Sequence, residues 1–112
     1  MKPFVLTKQA RADLIAIAQF TMKRWGKEQR NLYIKQFDDT FHLLAEMPEI
    51  GKSCDEIRKG YHKFPQGSHL IFFKQSSKNR IEIIRILHKS MDVEIHLAIN
   101  GNDLTRGCPY SH

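Results

Sequence analysis

The apolar positions of this chain keep two different rhythms. After Thr7, the small and apolar residues Ala10, Leu14, Ile17, Ala18 and Thr21 recur at helical spacing. Between residues 27 and 47, Tyr33, Phe37, Phe41, Leu44 and Met47 do the same, at steps of three and four. That period belongs to helices that bury one stripe. Beyond residue 60 the rhythm changes to short unbroken runs, Leu70-Ile71-Phe72-Phe73 and Ile83-Ile84-Arg85-Ile86-Leu87. Runs of this length, rich in β-branched and aromatic residues, are typical of strands covered on both faces.

Punctuation residues set the boundaries. A short strand over Phe4–Leu6 leads into Thr7, whose hydroxyl can accept from a free amide in the first turn of a helix over Lys8–Trp25. Gly26 breaks that helix, and a second runs over residues 27–47 until Pro48 closes it. Helices joined so tightly fold back as an antiparallel hairpin. A loop over 49–55 precedes three strands, at 61–65, 69–74 and 80–88. Pro65-Gln66-Gly67-Ser68 and Ser76-Ser77-Lys78-Asn79 form the turns between them. Short turns make antiparallel neighbours. The predicted order is β-α-α-β-β-β, an α+β fold with the helical hairpin on one face of a mainly antiparallel sheet. Nothing in the chain is evidently left to cover the other face. A helical turn is expected between Met91 and Ala98. Residues 1–98 then make one domain, with 99–112 as a flexible tail.

At 112 residues and 41% hydrophobic, the chain suits one small globular domain. It has no apolar run long enough for a membrane span, and its N-terminal apolar stretch is too short for a signal peptide. The expected location is the cytoplasm, with no membrane partner. Cys54 and Cys108 have no metal-ligand spacing and read as reduced thiols. No metal site, cofactor motif or glycine-rich phosphate loop is recognisable. Charge is uneven: from Arg58 to Lys89 there are eight Lys/Arg and one acid, Glu82, in a chain of formal net charge +6. Cations set among strands suit an anionic or acidic partner.

Three stretches carry a family resemblance. The first is Leu6-Thr7 with Ala10, Ala12-Asp13-Leu14 and Ile17. The second is Arg24-Trp25-Gly26 with Gln29. The third runs from Ile57-Arg58 and Gly60-Tyr61 through Gly67-Ser68-His69 and Ile71-Phe72-Phe73 to Ile83-Ile84-Arg85-Ile86-Leu87-His88 and Ser90-Met91-Asp92. Together and in this order they resemble the ParE branch of the RelE/ParE toxin superfamily. The resemblance implies a toxin of a type II toxin–antitoxin pair, without cofactor or metal. It implies inhibition of DNA gyrase, with DNA bound, and neutralisation by a ParD-like antitoxin in a hetero-oligomer. It implies a RelE/ParE-like fold, with the antitoxin as second cover for the sheet. In that frame Arg58, Tyr61, Leu70, Phe72, Ile84 and Ile86 are the expected antitoxin contacts. Arg85, His88, Lys89, Ser90, Met91 and Asp92 are the expected toxicity determinants.

The superfamily's other branch, which resembles RelE, cleaves mRNA on the ribosome. That chemistry needs cations to hold phosphate and a base to activate a 2′-hydroxyl. Arg58, Lys63, Arg85 and His88 would supply part of the set, but the segment His88-Lys89-Ser90-Met91-Asp92-Val93 carries no Tyr. The expectation is therefore a protein without catalytic residues, with an mRNA endonuclease as the alternative. His88 reads as a backbone or partner contact ahead of a general base. Arg85, set among aliphatic residues, needs a carboxylate. Asp13 or Glu46 would make it structural, and an antitoxin carboxylate would make it a contact. Trp25 is expected to pack in the core or the hairpin ahead of serving as a binding hot spot, and Phe37 and Phe41 are expected in the core.

Overall fold

The structure, a computed structural model, describes residues 3–55, 57–77 and 80–89. It contains β1 (Phe4–Leu6), α1 (Lys8–Trp25), α2 (Lys27–Glu46), a 3-10 turn (Pro48–Ile50), β2 (Lys52–Ser53), β3 (His62–Gln66), β4 (His69–Ser77) and β5 (Arg80–His88). The strands form one sheet in the order β1-β5-β4-β3-β2. β1 runs parallel to β5, and the other pairs are antiparallel. The expected elements are present, with β2 as an additional strand. Two residues beside a glycine carry no alternation, so β2 leaves no periodic trace. Gly51 makes room for it, because a Cβ there would overlap Cζ of Phe73.

Thr7 ties the first helix to the sheet. Its Oγ1 accepts from the Ala10 amide at 3.0 Å and donates to the Ile84 carbonyl at 2.8 Å. The cap that starts α1 therefore also fixes its origin against β5. Gly26, at φ +102°, is the whole connection between the helices. That backbone conformation is costly for any residue with a Cβ. α2 then returns along α1 and lays Phe37, Phe41, Leu44 and Ala45 on the sheet. They pack with Phe4, Ala10, Ile17, Ile71, Phe73, Ile81, Ile83 and Ile86 in the main core. Met47 caps α2 and is largely exposed, so the buried stripe ends at Leu44 and Ala45.

The other face of the sheet is closed as well. Phe72, Ile84 and Leu87 are buried with Cys54 and Tyr61, and Ile57 and Leu70 pack against them. Cys54, Ile57 and Tyr61 come from the segment between β2 and β3. Backbone bonds brace it, from the Cys54 amide to the Tyr61 carbonyl at 2.9 Å and from the Tyr61 amide to the Arg58 carbonyl at 3.1 Å. The Asp55 carboxylate adds a bond from the Gly60 amide at 2.9 Å. The chain thus supplies a second cover for its two-sided strands, where a bare face was expected.

A register shift redistributes β5. Phe72 pairs with Arg85 but Phe73 pairs with Ile83, so Ile84 is the extra residue. Such a bulge interrupts strict alternation. Simple alternation from Arg85 would put Ile81, Ile83 and Leu87 on one face. Instead Ile81 and Ile83 join the helix-side core and Leu87 the loop-side cluster. Ile86 also lies on the helix side, apart from Phe72 and Ile84. The expected turn positions Lys78 and Asn79, and the helical turn and tail beyond Ser90, lie outside the described residues.

Candidate functional site: an aromatic cleft beside the helical hairpin

Past Leu6, among the described residues, no strand lies beside the outer margin of β5, and α1 takes that place. Asp13 completes the edge. Its Oδ2 accepts from the Ile86 amide at 3.0 Å and from Arg85 Nε at 2.7 Å, while Oδ1 accepts from the Arg85 guanidinium at 3.0 Å. The two side chains are only 17% and 16% exposed, so the bidentate pair is largely withdrawn from water. Arg85 is therefore held inside the protein, as a helix carboxylate would hold it. The pair is part of the fold of this chain.

Next to this edge lies a cleft of about 460 Å³ between the hairpin, the β3–β4 turn and the end of β5. α1 contributes Ala16, Ile17, Phe20, Thr21 and Trp25, and α2 contributes Gln29 and Tyr33. Gly67, Ser68, His69 and His88 close the far wall. Phe20 and Trp25 are 65% and 63% exposed. Trp25 thus does not pack in the hairpin as expected; its ring faces outward with the Arg24 guanidinium 5.2 Å from the ring centre. α1 explains this geometrically. Ala10, Ile17 and Thr21 mark its buried stripe, and Phe20 stands one position off it.

The inner wall is polar and fixed. The Tyr33 hydroxyl lies 2.9 Å from His69 Nδ1 and 3.4 Å from the Gln66 carbonyl. Burial raises the Tyr33 pKa, and a bond from the Ser68 backbone opposes that. The His69 pKa is lowered to about 4, chiefly by burial and then by the nearby His88, with Asp13 acting the other way. His69 is consequently a neutral imidazole at ordinary pH. Gly67 belongs to this wall because a Cβ there would come within 2.6 Å of the Tyr33 hydroxyl. Its φ of +61° also suits the two-residue hairpin loop. His88 pairs with His69 across the strands, their rings at 5.3 Å and nearly perpendicular.

The residues anticipated from sequence are scattered. Tyr61, Phe72 and Ile84 are buried in the loop-side cluster, which Leu70 borders, and Ile86 is buried on the helix side. Arg58 is exposed, with its guanidinium 6.0 Å from the Tyr61 ring. His88 and Lys89 are exposed at the end of β5 beside the cleft. Ser90, Met91 and Asp92 lie outside the described residues. The basic block is not one patch either, since Arg85 faces Asp13 and Lys74 lies 3.9 Å from Glu82. Phe20 and the Tyr33–His69 pair escaped the sequence reading. An aromatic residue off the buried stripe of a helix signals the first. Nothing local signals the second, whose members are 36 positions apart. Among the described residues no three His, Cys, Asp or Glu side chains gather as metal ligands. No described helix is long and apolar enough to cross a membrane.

Comparison with known proteins gives a consistent result. The model of the family described as ParE toxin of type II toxin-antitoxin system, parDE, matches residues 4–93. Toxin ParE1 of Caulobacter vibrioides is 39% identical over 97 residues, spanning 87% of this chain and 99% of that protein. Toxin ParE1 of Mycobacterium tuberculosis is 37% identical over 94 residues, spanning 84% and 96%. Among solved structures, a chain of the chromosomal ParDE TA system from P. aeruginosa superposes with a TM-score of 0.64 at 21% identity. The superposition covers 76% of this chain and 92% of that one and indicates a common fold.

Proposed function

Because the chain belongs to the ParE toxins of type II toxin–antitoxin systems, we propose that it is restrained by a ParD antitoxin and inhibits DNA gyrase when released. The observation that carries the docking part of this reading is the cleft with its exposed Phe20 and Trp25. Isolated exposed apolar residues are ordinary, but two aromatic rings lining one concave site make an anchor site for a partner. Arg24 lies over Trp25, and Lys23 and Lys27 flank it in the chain. A partner segment with aliphatic anchors and acidic neighbours suits that rim. Among the described residues the loop-side face offers no comparable opening, because Phe72, Ile84 and Leu87 already pack with Cys54, Ile57 and Tyr61.

The protein acts, in this reading, by binding rather than by catalysis. Arg85, one of the cations a ribonuclease would direct at phosphate, is bound to Asp13 instead. The expected result is loss of supercoiling, or accumulation of cleaved DNA, when the purified chain is added to gyrase. Prior mixing with a ParD protein restores activity. Folded chain in excess over gyrase with no effect on supercoiling overturns the gyrase assignment. Codon-linked cuts in translated mRNA, read by primer extension, would establish the endonuclease instead.

A further inference from the structure

The loop side of the sheet ends at β2 in a rim of cations. Lys52 of β2 lies directly opposite Lys63 of β3, and Lys63 lies opposite Phe72 of the loop-side cluster. Both lysines therefore belong to the loop-side face. Like charges set opposite one another destabilise a strand pair. Among the described residues no carboxylate forms an ion pair with Lys52, Arg58, Lys59 or Lys63, in contrast to Arg85 and Lys74. The fold thus carries a repulsion that an anion set between the two ammonium groups relieves. The segment between β2 and β3 adds Arg58 and Lys59, both exposed. Arg58 is steadied beside the buried Tyr61 ring, 6.0 Å from its centre. Asp55 on the same segment is engaged with the Gly60 amide at 2.9 Å, and Glu56 lies outside the described residues.

We propose that Lys52, Arg58, Lys59 and Lys63 bind the phosphate backbone of duplex DNA without regard to sequence, through this chain alone and apart from any contact with gyrase. The chemistry of the face selects that occupant. An acidic protein segment draws its affinity from apolar anchors, and Phe72, Ile84 and Leu87 on this face already pack with Cys54, Ile57 and Tyr61. A single strand needs exposed rings on which its bases stack. The two rings of this stretch do not serve: Tyr61 is only 8% exposed, and His62 stacks on Phe73 of the helix-side core. A duplex asks only for cations, since it presents about one negative charge per 1.7 Å of its axis. An arginine fork and lysine ammonium groups both meet phosphate oxygens well.

The test is fluorescence anisotropy of a short labelled DNA duplex titrated with the full chain over a range of salt, gyrase being absent. Log affinity is expected to fall linearly with log salt, with a slope of about −0.9 per phosphate engaged. Lys52→Ala combined with Lys63→Ala should weaken binding and make the slope shallower by about 2. Arg58→Ala, at an exposed position, makes it shallower by about 1 and reads the rim independently of the lysine pair. Lys8→Ala combined with Lys35→Ala, two exposed helix positions, removes as much charge as the lysine pair and leaves the slope unchanged. The proposal is overturned if the duplex does not bind at low salt, or if the helix variant weakens binding as much as the rim variants do. It is equally overturned if single-stranded DNA of the same length or polyglutamate displaces the duplex more readily than unlabelled duplex does.

Discussion

The loop-side face of the sheet and the cleft beside α1 are both rich in aromatic and aliphatic side chains, and the chain treats them differently. On the loop side, Phe72 and Leu87 are fully buried by residues of the same chain, Cys54, Ile57 and Tyr61. In the cleft, Phe20 and Trp25 keep about two-thirds of their surface in solvent, on a rigid helical wall. A two-sided apolar strand is therefore evidence of burial but not of what does the burying. An exposed aromatic residue on the wrong side of a helical stripe is the better mark of a surface left for another molecule.

The largest expected effect is that of Phe72→Ala, which opens the closed face. Truncating a fully buried Phe removes its transfer energy and leaves a cavity, about 3–5 kcal/mol in all. That is a large part of the roughly 5–15 kcal/mol expected of a small domain. Urea unfolding should show a much lower midpoint, with partner affinity reduced only as far as the fold is lost. A variant of near-parental stability whose binding defect is selective would restore the loop-side face as the docking site.

Asp13→Ala should come next, at about 3 kcal/mol, since it strands a largely buried Arg85 without its carboxylate. It also deprives the Ile86 amide of its acceptor. The double change Asp13→Leu with Arg85→Met should recover part of that loss, because removing both charges avoids an unpaired one. Equal stability of the single and double variants would show that the pair's geometry, not its charge balance, is what matters. This pair also marks the limit of what the sequence discloses. Local signals located the helices, the Thr7 cap, the Gly26 break and the turn at Gly67, because each depends on residues within one or two turns. Asp13 and Arg85 are 72 positions apart, so sequence alone left Asp13, Glu46 and an outside carboxylate as equals. The bulge at Ile84 was equally silent. One inserted residue changes which face every later side chain occupies, and nothing in Ile83-Ile84-Arg85-Ile86 distinguishes the extra one. β2 was missed for want of length, and with it the anchoring of the segment that covers Phe72.

His69 sits between the two regimes, half-buried in the cleft wall. Its pKa is lowered to about 4 in the fold against an ordinary value of 6.5. Between those values the unfolded chain binds more protons than the native one, so stability rises with pH. The contribution is complete above about 6.5 and is lost as pH falls toward about 4. Replacing His69 with Gln should flatten the pH dependence of the urea midpoint in that window and leave it unchanged near pH 8. An unaltered slope would mean that the wall around Tyr33 and His69 is wetter than the closed core, and that the cleft begins deeper in the hairpin.

Phe20→Ala and Trp25→Ala carry the smallest expected effect on the fold and the most informative one on binding. Each side chain already keeps most of its surface in water, so its loss should change stability by no more than about 0.5 kcal/mol. If the cleft receives an antitoxin segment, the same truncations remove an aromatic anchor, a loss of about 2 kcal/mol or more in complex stability. Trp25 should show the larger change, because losing it also removes the ring over which Arg24 lies. Isothermal titration with a ParD protein, beside a thermal melt of each variant, separates the two quantities. Binding unaffected by both truncations would leave the exposed rings without a partner and remove the contrast between a face closed by its own chain and one kept open.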